Sequence, residues 1–329
     1  MKVSVLVPVY GVERYIGKCA KTLFEQTYQD LEFIFVDDCT PDNSIQVIQE
    51  VLAAYPQRKT QVKIIRHDHN RGLGAARKTA LEAALGEFVI NVDSDDYLTT
   101  DAIEKFVAQQ KLTGADIVSS AYNSCFENGT IVYRADAHHK KETYIKLMLI
   151  QHTILPHIWA RLIRKSLYTE NNICSVEGIN MAEDLALTPR LIHAAKTIAY
   201  IDDATYYYRD DSSASTFSRL TTKHIVSALR ANEELWSYFQ QHDQENNYLF
   251  AIETGFLNTY QQSLKGELTT DEIKTYFSYS PKSVFFRCLH TLIAHRQTLP
   301  LLRFTYLAIK WTYRNYLRIK ARHSSNDLT

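Results

Sequence analysis

The chain has 329 residues, 45% apolar and 22% charged, with 37 basic side chains against 37 acidic ones. This is normal for a globular protein that buries a real core, in one large domain or two ordinary ones. The five cysteines are scattered without CxxC or CxxxC spacing, which argues against a disulfide framework or a zinc site and for a reducing compartment; no apolar run reaches the length of a simple transmembrane helix, and Met1 to Pro8 lacks the features of a signal peptide.

Val3 to Val7 reads as a buried strand closed by Pro8 and Gly11, and Val12 to Glu25 as a helix. Leu31 to Val36 is a second strand, ending in Asp37-Asp38. Thr40 to Ser44 supplies turn and cap chemistry for a helix to about Tyr55. Val62 to Arg66 is a third strand. The loop His69 to Gly74 opens a helix over Ala75 to Ala84, with Arg77 in its first turn. Phe88 to Val92 is a fourth strand, four of its five residues apolar, and a helix follows from about Thr100 to Leu112. Ile117 to Ala121 is a fifth strand.

Strands alternating with helices imply an α/β fold, Rossmann-like, with a mostly parallel sheet and helices on both faces. Ligands in such sheets bind outside the carboxyl ends of the strands. Tyr10, Asp37-Asp38 and the run Asp93-Ser94-Asp95-Asp96 all stand at that edge, and the third strand leads to a glycine loop. Three carboxylates within four positions repel one another unless a cation neutralises them. A hard divalent ion, Mg²⁺ or Mn²⁺, suits such oxygen ligands, with substrate phosphates completing its shell. Asp is also common in turns and caps, but four elements converging on one edge favour a nucleotide-and-metal site. Gly72-Leu73-Gly74 is neither a Walker loop nor a dinucleotide fingerprint. Arg77 reads either as a phosphate fork or base stack, or as a surface salt bridge.

Taken together, Val3 to Tyr10, Phe35 to Asp42, Asn70 to Arg77 and Val92 to Tyr97 resemble the family 2 glycosyltransferases, whose fold is called GT-A. The resemblance covers residues 1 to about 210, the first half more clearly. It implies that Pro8 and Tyr10 flank a nucleotide base. Asp38, with Asp37, would lie against base and ribose and accept the uracil N–H. Asp93 and Asp95 would form the DxD pair on ribose and metal-bound diphosphate, with Asp96 adjacent as a further metal ligand. Cys39-Thr40 and Gly11 depart from the family's usual residues without removing a carboxylate.

Ile131 to Tyr133 reads as a strand, Lys140 to Ile150 as a helix, and Trp159 to Lys165 resembles the family's segment before the acceptor side of the groove. Glu183-Asp184 opens a helix to about Ala195. Acidic residues there suit the helix dipole, and the resemblance also identifies the pair as the catalytic-base motif, Asp184 first and Glu183 as alternate. Thr205 to Ser213 resembles the family's strand ending in a Tyr-Arg loop, with Arg209 steadying diphosphate or acceptor. His224 is a possible third metal ligand, though a lone helical His is more often structural.

The expected domains are 1–215, catalytic, and 216–329, helical. The helices read as Thr222 to Gln241, Tyr248 to Leu264, Thr270 to Phe277, Ser283 to His295 and Leu301 to Arg322. From Lys282 to Arg322 there are nine Lys and Arg and no Asp or Glu, interleaved with large apolar residues. That pattern suits an anionic membrane surface; the competing reading is a helix with a solvated basic face. The acidic body and cleft exclude nucleic acid as partner. The reading is an inverting, metal-dependent glycosyltransferase moving a sugar from a UDP-sugar to a glycan or lipid-linked acceptor in polysaccharide synthesis, cytoplasmic or peripheral on the inner face of the membrane. A sugar nucleotidyltransferase would need a basic glycine-rich first loop, which is missing. A binding scaffold would tolerate loss of Asp93, Asp95 or Asp184, and all three are present. A polymerising synthase would carry several transmembrane helices and a Gln-x-x-Arg-Trp segment, and neither is seen.

Overall fold

The structure, a computed structural model, describes residues 1–134, 140–151, 154–210, 221–243, 245, 247–265, 303–309 and 311–312. The chain divides into two compact units, Met1–Lys141 with Pro156–Arg219, and Glu142–Leu155 with Leu220–Thr329. The sequence reading divided the chain at 215. The contacts divide it at 219 and assign 142–155, with buried Tyr144, Ile145, Leu147, Met148, Leu149 and Ile150, to the second unit.

The first unit begins β1 (Val3–Val9), α1 (Glu13–Phe24), β2 (Leu31–Asp37), α2 (Ser44–Ala53), β3 (Val62–Arg66), α3 (Leu73–Ala83), β4 (Phe88–Asn91). It continues β5 (Tyr97–Leu98), α4 (Ala102–Thr113), β6 (Ile117–Phe126) and β7 (Ile131–Arg134). After α5 (Lys141–Lys146) and a π-helical turn at Leu147–Gln151 come β8 (Arg161–Arg164), α6 (Lys165–Glu170), α7 (Glu183–Ala194) and β9 (Ile198–Asp210). The strands form one sheet in the order β3-β2-β1-β4-β8-β6-β9-β5, with β7 paired to β6.

The sheet is parallel across β3, β2, β1 and β4, as the βαβ pattern requires. Beyond β4 it is mixed: β8 runs antiparallel to both β4 and β6, β9 parallel to β6, and β5 antiparallel to β9. Alternate residues of β1, Val3, Val5, Val7 and Val9, join α1, α2 and α4 in one apolar cluster. Helix α3 packs on β1 and β2 through buried Ala75, Ala76, Ala80 and Leu81, which lie outside that cluster. Helices therefore cover both faces.

Pro8 does not close β1. The ladder to β4 ends at Leu6 opposite Asn91, while the ladder to β2 runs on to Val9 opposite Asp37. A residue without an N–H sits where no bond to β4 remains to be lost. β6 runs five residues past its expected end because β9 and β7 both pair with the extension. Two short elements, β5 and α6, have no clear sequence pattern.

In the second unit, α8 (Thr222–His242) packs against α9 (Leu249–Lys265). Thr221 caps α8: its hydroxyl accepts the His224 N–H, and His224 Nδ1 accepts the Thr221 N–H. That bond uses His224 as a cap. Residues 303–309 and 311–312 are helical. The expected helices Thr270 to Phe277 and Ser283 to His295 lie outside the described residues. Among the described residues no helix is long and apolar enough to cross a membrane.

Candidate active site

Parallel pairing of β1, β2 and β4 brings their carboxyl ends together, and with them the residues singled out from sequence. Pro8 is buried in β1. Tyr10, just past the strand, is 49% exposed, so of the two expected flanks of a base it is the accessible one. Asp37 is buried; its Oδ1 accepts the Thr40 N–H at 2.8 Å, and Arg66 Nε lies 3.3 Å from Oδ2.

Asp38 is equally buried. Its Oδ1 accepts the Arg71 N–H at 2.8 Å and meets His67 Nδ1 at 2.7 Å, and its Oδ2 accepts the Gly72 N–H at 2.7 Å. It thus holds the loop that opens α3. A carboxylate has about four lone-pair positions, so one remains for a ligand donor. His67 was not foreseen. The signal was there: it stands one residue past β3, at the same edge as the aspartates.

The glycines of this loop are needed for close approach. A Cβ on Gly72, which has φ +87°, would meet the Asn180 side chain at 2.2 Å. One on Gly74 would meet the Val176 carbonyl oxygen at 2.3 Å and that of Ile179 at 3.0 Å. Arg71 pairs with Glu177 at 2.8 Å. The loop therefore grips the segment 176–180 that leads to Glu183. Ala182, just before the pair, has φ +62°, a left-handed conformation uncommon for a residue with a Cβ.

Arg77 corrects an expectation. Its side chain is only 2% exposed, and its donors point at carboxylates of this chain, not outward to phosphate or base. Nη1 donates to Glu183 Oε1 at 2.9 Å and Asp184 Oδ1 at 2.5 Å; Nη2 donates to Asp93 Oδ1 at 2.7 Å. One guanidinium thus ties the DxD pair to the Glu-Asp pair. Burial opposes its charge, but Asp184, Asp93 and Glu183 outweigh burial and keep it protonated. Burial first, and the neighbouring Asp184 second, push Glu183 up to about 8. Asp184 is raised as well, by burial and by Asp93, while Arg77 and the Ile158 N–H oppose the shift. Three carboxylates around one cation cannot all be ionised cheaply. Near neutral pH Glu183 keeps its proton, and Arg77 favours the charged form of Asp184.

Asp96 corrects a second expectation. It is almost fully buried; Oδ2 accepts the Tyr206 hydroxyl at 2.7 Å and Oδ1 the Arg209 N–H at 2.7 Å. Burial, then the charges of Asp95 and Asp93, raise it well above the usual carboxylate range. Both of its carboxylate oxygens are thus engaged within the chain, where they brace the DxD turn. Tyr206 completes the brace by accepting the Asp93 N–H at 3.1 Å, and Cys19 Sγ sits 3.9 Å from the Asp93 carbonyl oxygen. Among the described residues no three His, Cys, Asp or Glu side chains converge on a point that would hold a cation. Asp93 and Asp95 carry the kind of oxygen ligand that a hard divalent ion takes.

Arg209 donates from Nε to the Asp95 carbonyl at 3.1 Å, and its guanidinium stands 4.3 Å from the Tyr15 ring centre. Lys18 lies 3.4 Å over the Tyr97 ring. Burial and the charge of Arg209 lower its pKa. Among the described residues neither cation forms an ion pair with a carboxylate, so both offer positive charge on this flank of the DxD turn. Lys18 was missed because its single helical position carries no pattern. Behind the turn, Trp159 stacks on Tyr206 at 4.5 Å, Tyr208 at 5.1 Å and His157 at 3.9 Å.

A family model described as Glycosyl transferase family 2 matches residues 4–171. The chain is 30% identical over 246 residues to an uncharacterized glycosyltransferase of Bacillus subtilis, EpsJ, covering 72% of this chain and 70% of that one. It is 27% identical to the poly(ribitol-phosphate) beta-N-acetylglucosaminyltransferase TarS of Staphylococcus aureus, over 87% of this chain but only 46% of that protein. The crystal structure of S. aureus TarS 1–349 in complex with UDP-GlcNAc is similar in fold, with a TM-score of 0.57 at 19% identity, covering 96% of this chain and 92% of that one.

Proposed function

This chain belongs to glycosyl transferase family 2, and from that premise we propose that it transfers a sugar from a UDP-sugar to a hydroxyl of a glycan or lipid-linked acceptor in cell-surface polysaccharide synthesis, inverting the anomeric centre. The observation that carries the reading is the Arg77 bridge, which sets the Asp184 carboxyl beside Asp93 of the DxD pair. The likeness to a poly(ribitol-phosphate) transferase, one of whose structures holds UDP-GlcNAc, supports the donor and the polymeric acceptor.

In this reading Asp184 is the general base. A sugar hydroxyl is a poor nucleophile at neutral pH, and a carboxylate within hydrogen-bond reach takes its proton as the new bond forms at the anomeric carbon. The raised pKa of Asp184 strengthens it as a base, while Arg77 and the Ile158 N–H favour its charged form and Arg77 orients it. Glu183, protonated near neutrality, limits the negative charge around it. The diphosphate leaves from the opposite face, so no covalent enzyme intermediate is required. Asp93 and Asp95 would hold Mn²⁺ or Mg²⁺, which when bound acts as a Lewis acid on the departing diphosphate. Arg209 and Lys18 offer positive charge to the same anion. Tyr10 would pack on the base, and the remaining acceptor position of Asp38 would take the uracil N–H.

The test is a donor-hydrolysis screen across UDP-, GDP- and TDP-sugars, with Mn²⁺ and with EDTA. Turnover of a UDP-sugar that depends on the metal supports the reading. Turnover of none of the donors, under any metal condition, would contradict it.

A further inference from the structure

The helical residues 303–309 and 311–312 present an unusual face. Phe304 is 71% exposed, Leu307 50% and Trp311 69%. Their spacing of three and four residues puts them on one stripe of a helix about 100° wide. Tyr306, on the opposite side, is 9% exposed, and burial raises its phenol pKa. The helix is therefore anchored on one side and leaves three large apolar side chains on the other. Single exposed hydrophobics are ordinary; a stripe of the largest ones is not.

The charge pattern of the surrounding sequence indicates what covers that stripe. Nine Lys and Arg and no Asp or Glu occur between Lys282 and Arg322, and Arg303, Lys310 and Arg314 recur at spacings of seven and four. Arg303 is exposed. A protein partner or a second copy of this chain would have to present an acidic apolar surface. An anionic bilayer offers negative headgroups above apolar chains, the two properties this segment complements. The described helix is too short to span a bilayer, and no described helix qualifies as a span.

We propose that the stripe Phe304, Leu307 and Trp311 inserts into the headgroup boundary of an anionic membrane, with the exposed Arg303 and the acid-free basic composition of the surrounding sequence adding attraction to the headgroups. This attachment stands apart from the catalytic reading, so either can fail alone. Each cation near an anionic surface strengthens partitioning roughly fivefold at most, and salt screens that part.

The chain carries its own reporter. Of three tryptophans, Trp159 and Trp236 are buried and Trp311 is exposed. The full chain is mixed with phosphatidylglycerol–phosphatidylcholine vesicles, and separately with phosphatidylcholine alone, at low and high salt. Tryptophan emission and co-sedimentation are read together. The proposal expects a blue shift and pelleting with the anionic vesicles at low salt, both reduced at high salt. Trp311→Phe should remove the shift but retain pelleting. The double variant Phe304→Ser/Leu307→Ser should lose both while its thermal melt and its circular dichroism stay as in the parent, since both side chains are exposed. The proposal is overturned by an intact chain that neither shifts nor pellets with anionic vesicles at low salt. It is equally overturned by a shift that appears without vesicles as protein concentration rises, which marks a second copy as the occupant, or by pelleting that the double variant retains.

Discussion

Replacing Arg77 by Met removes the one cation shared by Asp93, Glu183 and Asp184 while keeping most of the side-chain volume. The guanidinium is 2% exposed, whereas the three carboxylates are 26%, 12% and 20% exposed. Taking one partner from a buried ion pair costs about 3–5 kcal/mol, because the remaining charge is left uncompensated. For a unit of this size each kcal/mol is about 2–4 °C in Tm, so the variant should melt roughly 6–20 °C lower at pH 8. The loss must depend on pH. Without Arg77 the pKa of Asp184 rises further, since burial and repulsion from Asp93 no longer meet its opposing charge. A group whose folded pKa is raised loses stability as pH climbs from the unfolded toward the folded pKa. The deficit against the parent should therefore shrink at pH 5 and grow toward pH 8. Thermal melts by circular dichroism at pH 5, 6.5 and 8 measure this. Arg77→Lys, which keeps charge but cannot fork, should fall between the two. A Tm unchanged within about 2 °C at every pH, or a deficit largest at pH 5, would refute the bridge as the element holding the carboxylates together.

Asp95→Asn should abolish transfer, as should EDTA on the parent, whereas full activity with no divalent ion would remove the metal from the account. Glu183→Gln should gain stability relative to the parent as pH rises from the ordinary glutamate range to about 8, because over that window the unfolded parent releases a proton that the buried, folded Glu183 still holds; equal urea midpoints at pH 5 and 8 would contradict the raised pKa. Gly74→Ala drives a methyl into the Val176 and Ile179 carbonyls. It should lower the urea midpoint and cut turnover together, and a variant with parental values of both would show that the 176–180 segment shifts freely.

The parallel strands were legible because each is a short, continuous apolar run between turn residues, and β1 to β4 lie within two residues of their expected ends. Their shared direction brings Tyr10, Asp37, Asp38, Asp93 and Asp95 to one edge, so the site's location followed from topology alone. What each side chain does there was less accessible. Arg77 meets Glu183 and Asp184 across 106 and 107 residues of sequence, and no local pattern announces such a partner. Asp96 has the same appearance as its neighbours in the chain. Its inward turn depends on Tyr206, 110 residues away, and on a β5–β9 pairing whose shorter strand has only two residues. The mixed half of the sheet was hidden for a similar reason: β8 is a four-residue strand that inserts between β4 and β6 from a distant part of the chain.

The central claim is that Asp184 performs chemistry while Asp93 and Asp95 hold the donor. Asp184→Asn separates these jobs, because it keeps the shape and an oxygen for Arg77 but removes the base. UDP-sugar affinity by titration calorimetry and kcat for transfer are measured on the same preparation. The account predicts an affinity close to that of the parent and a kcat lower by roughly 10²-fold or more, the usual scale for a positioned general base. Loss of donor affinity with an unchanged kcat at saturation would contradict it, making Asp184 a binding residue and leaving the base elsewhere.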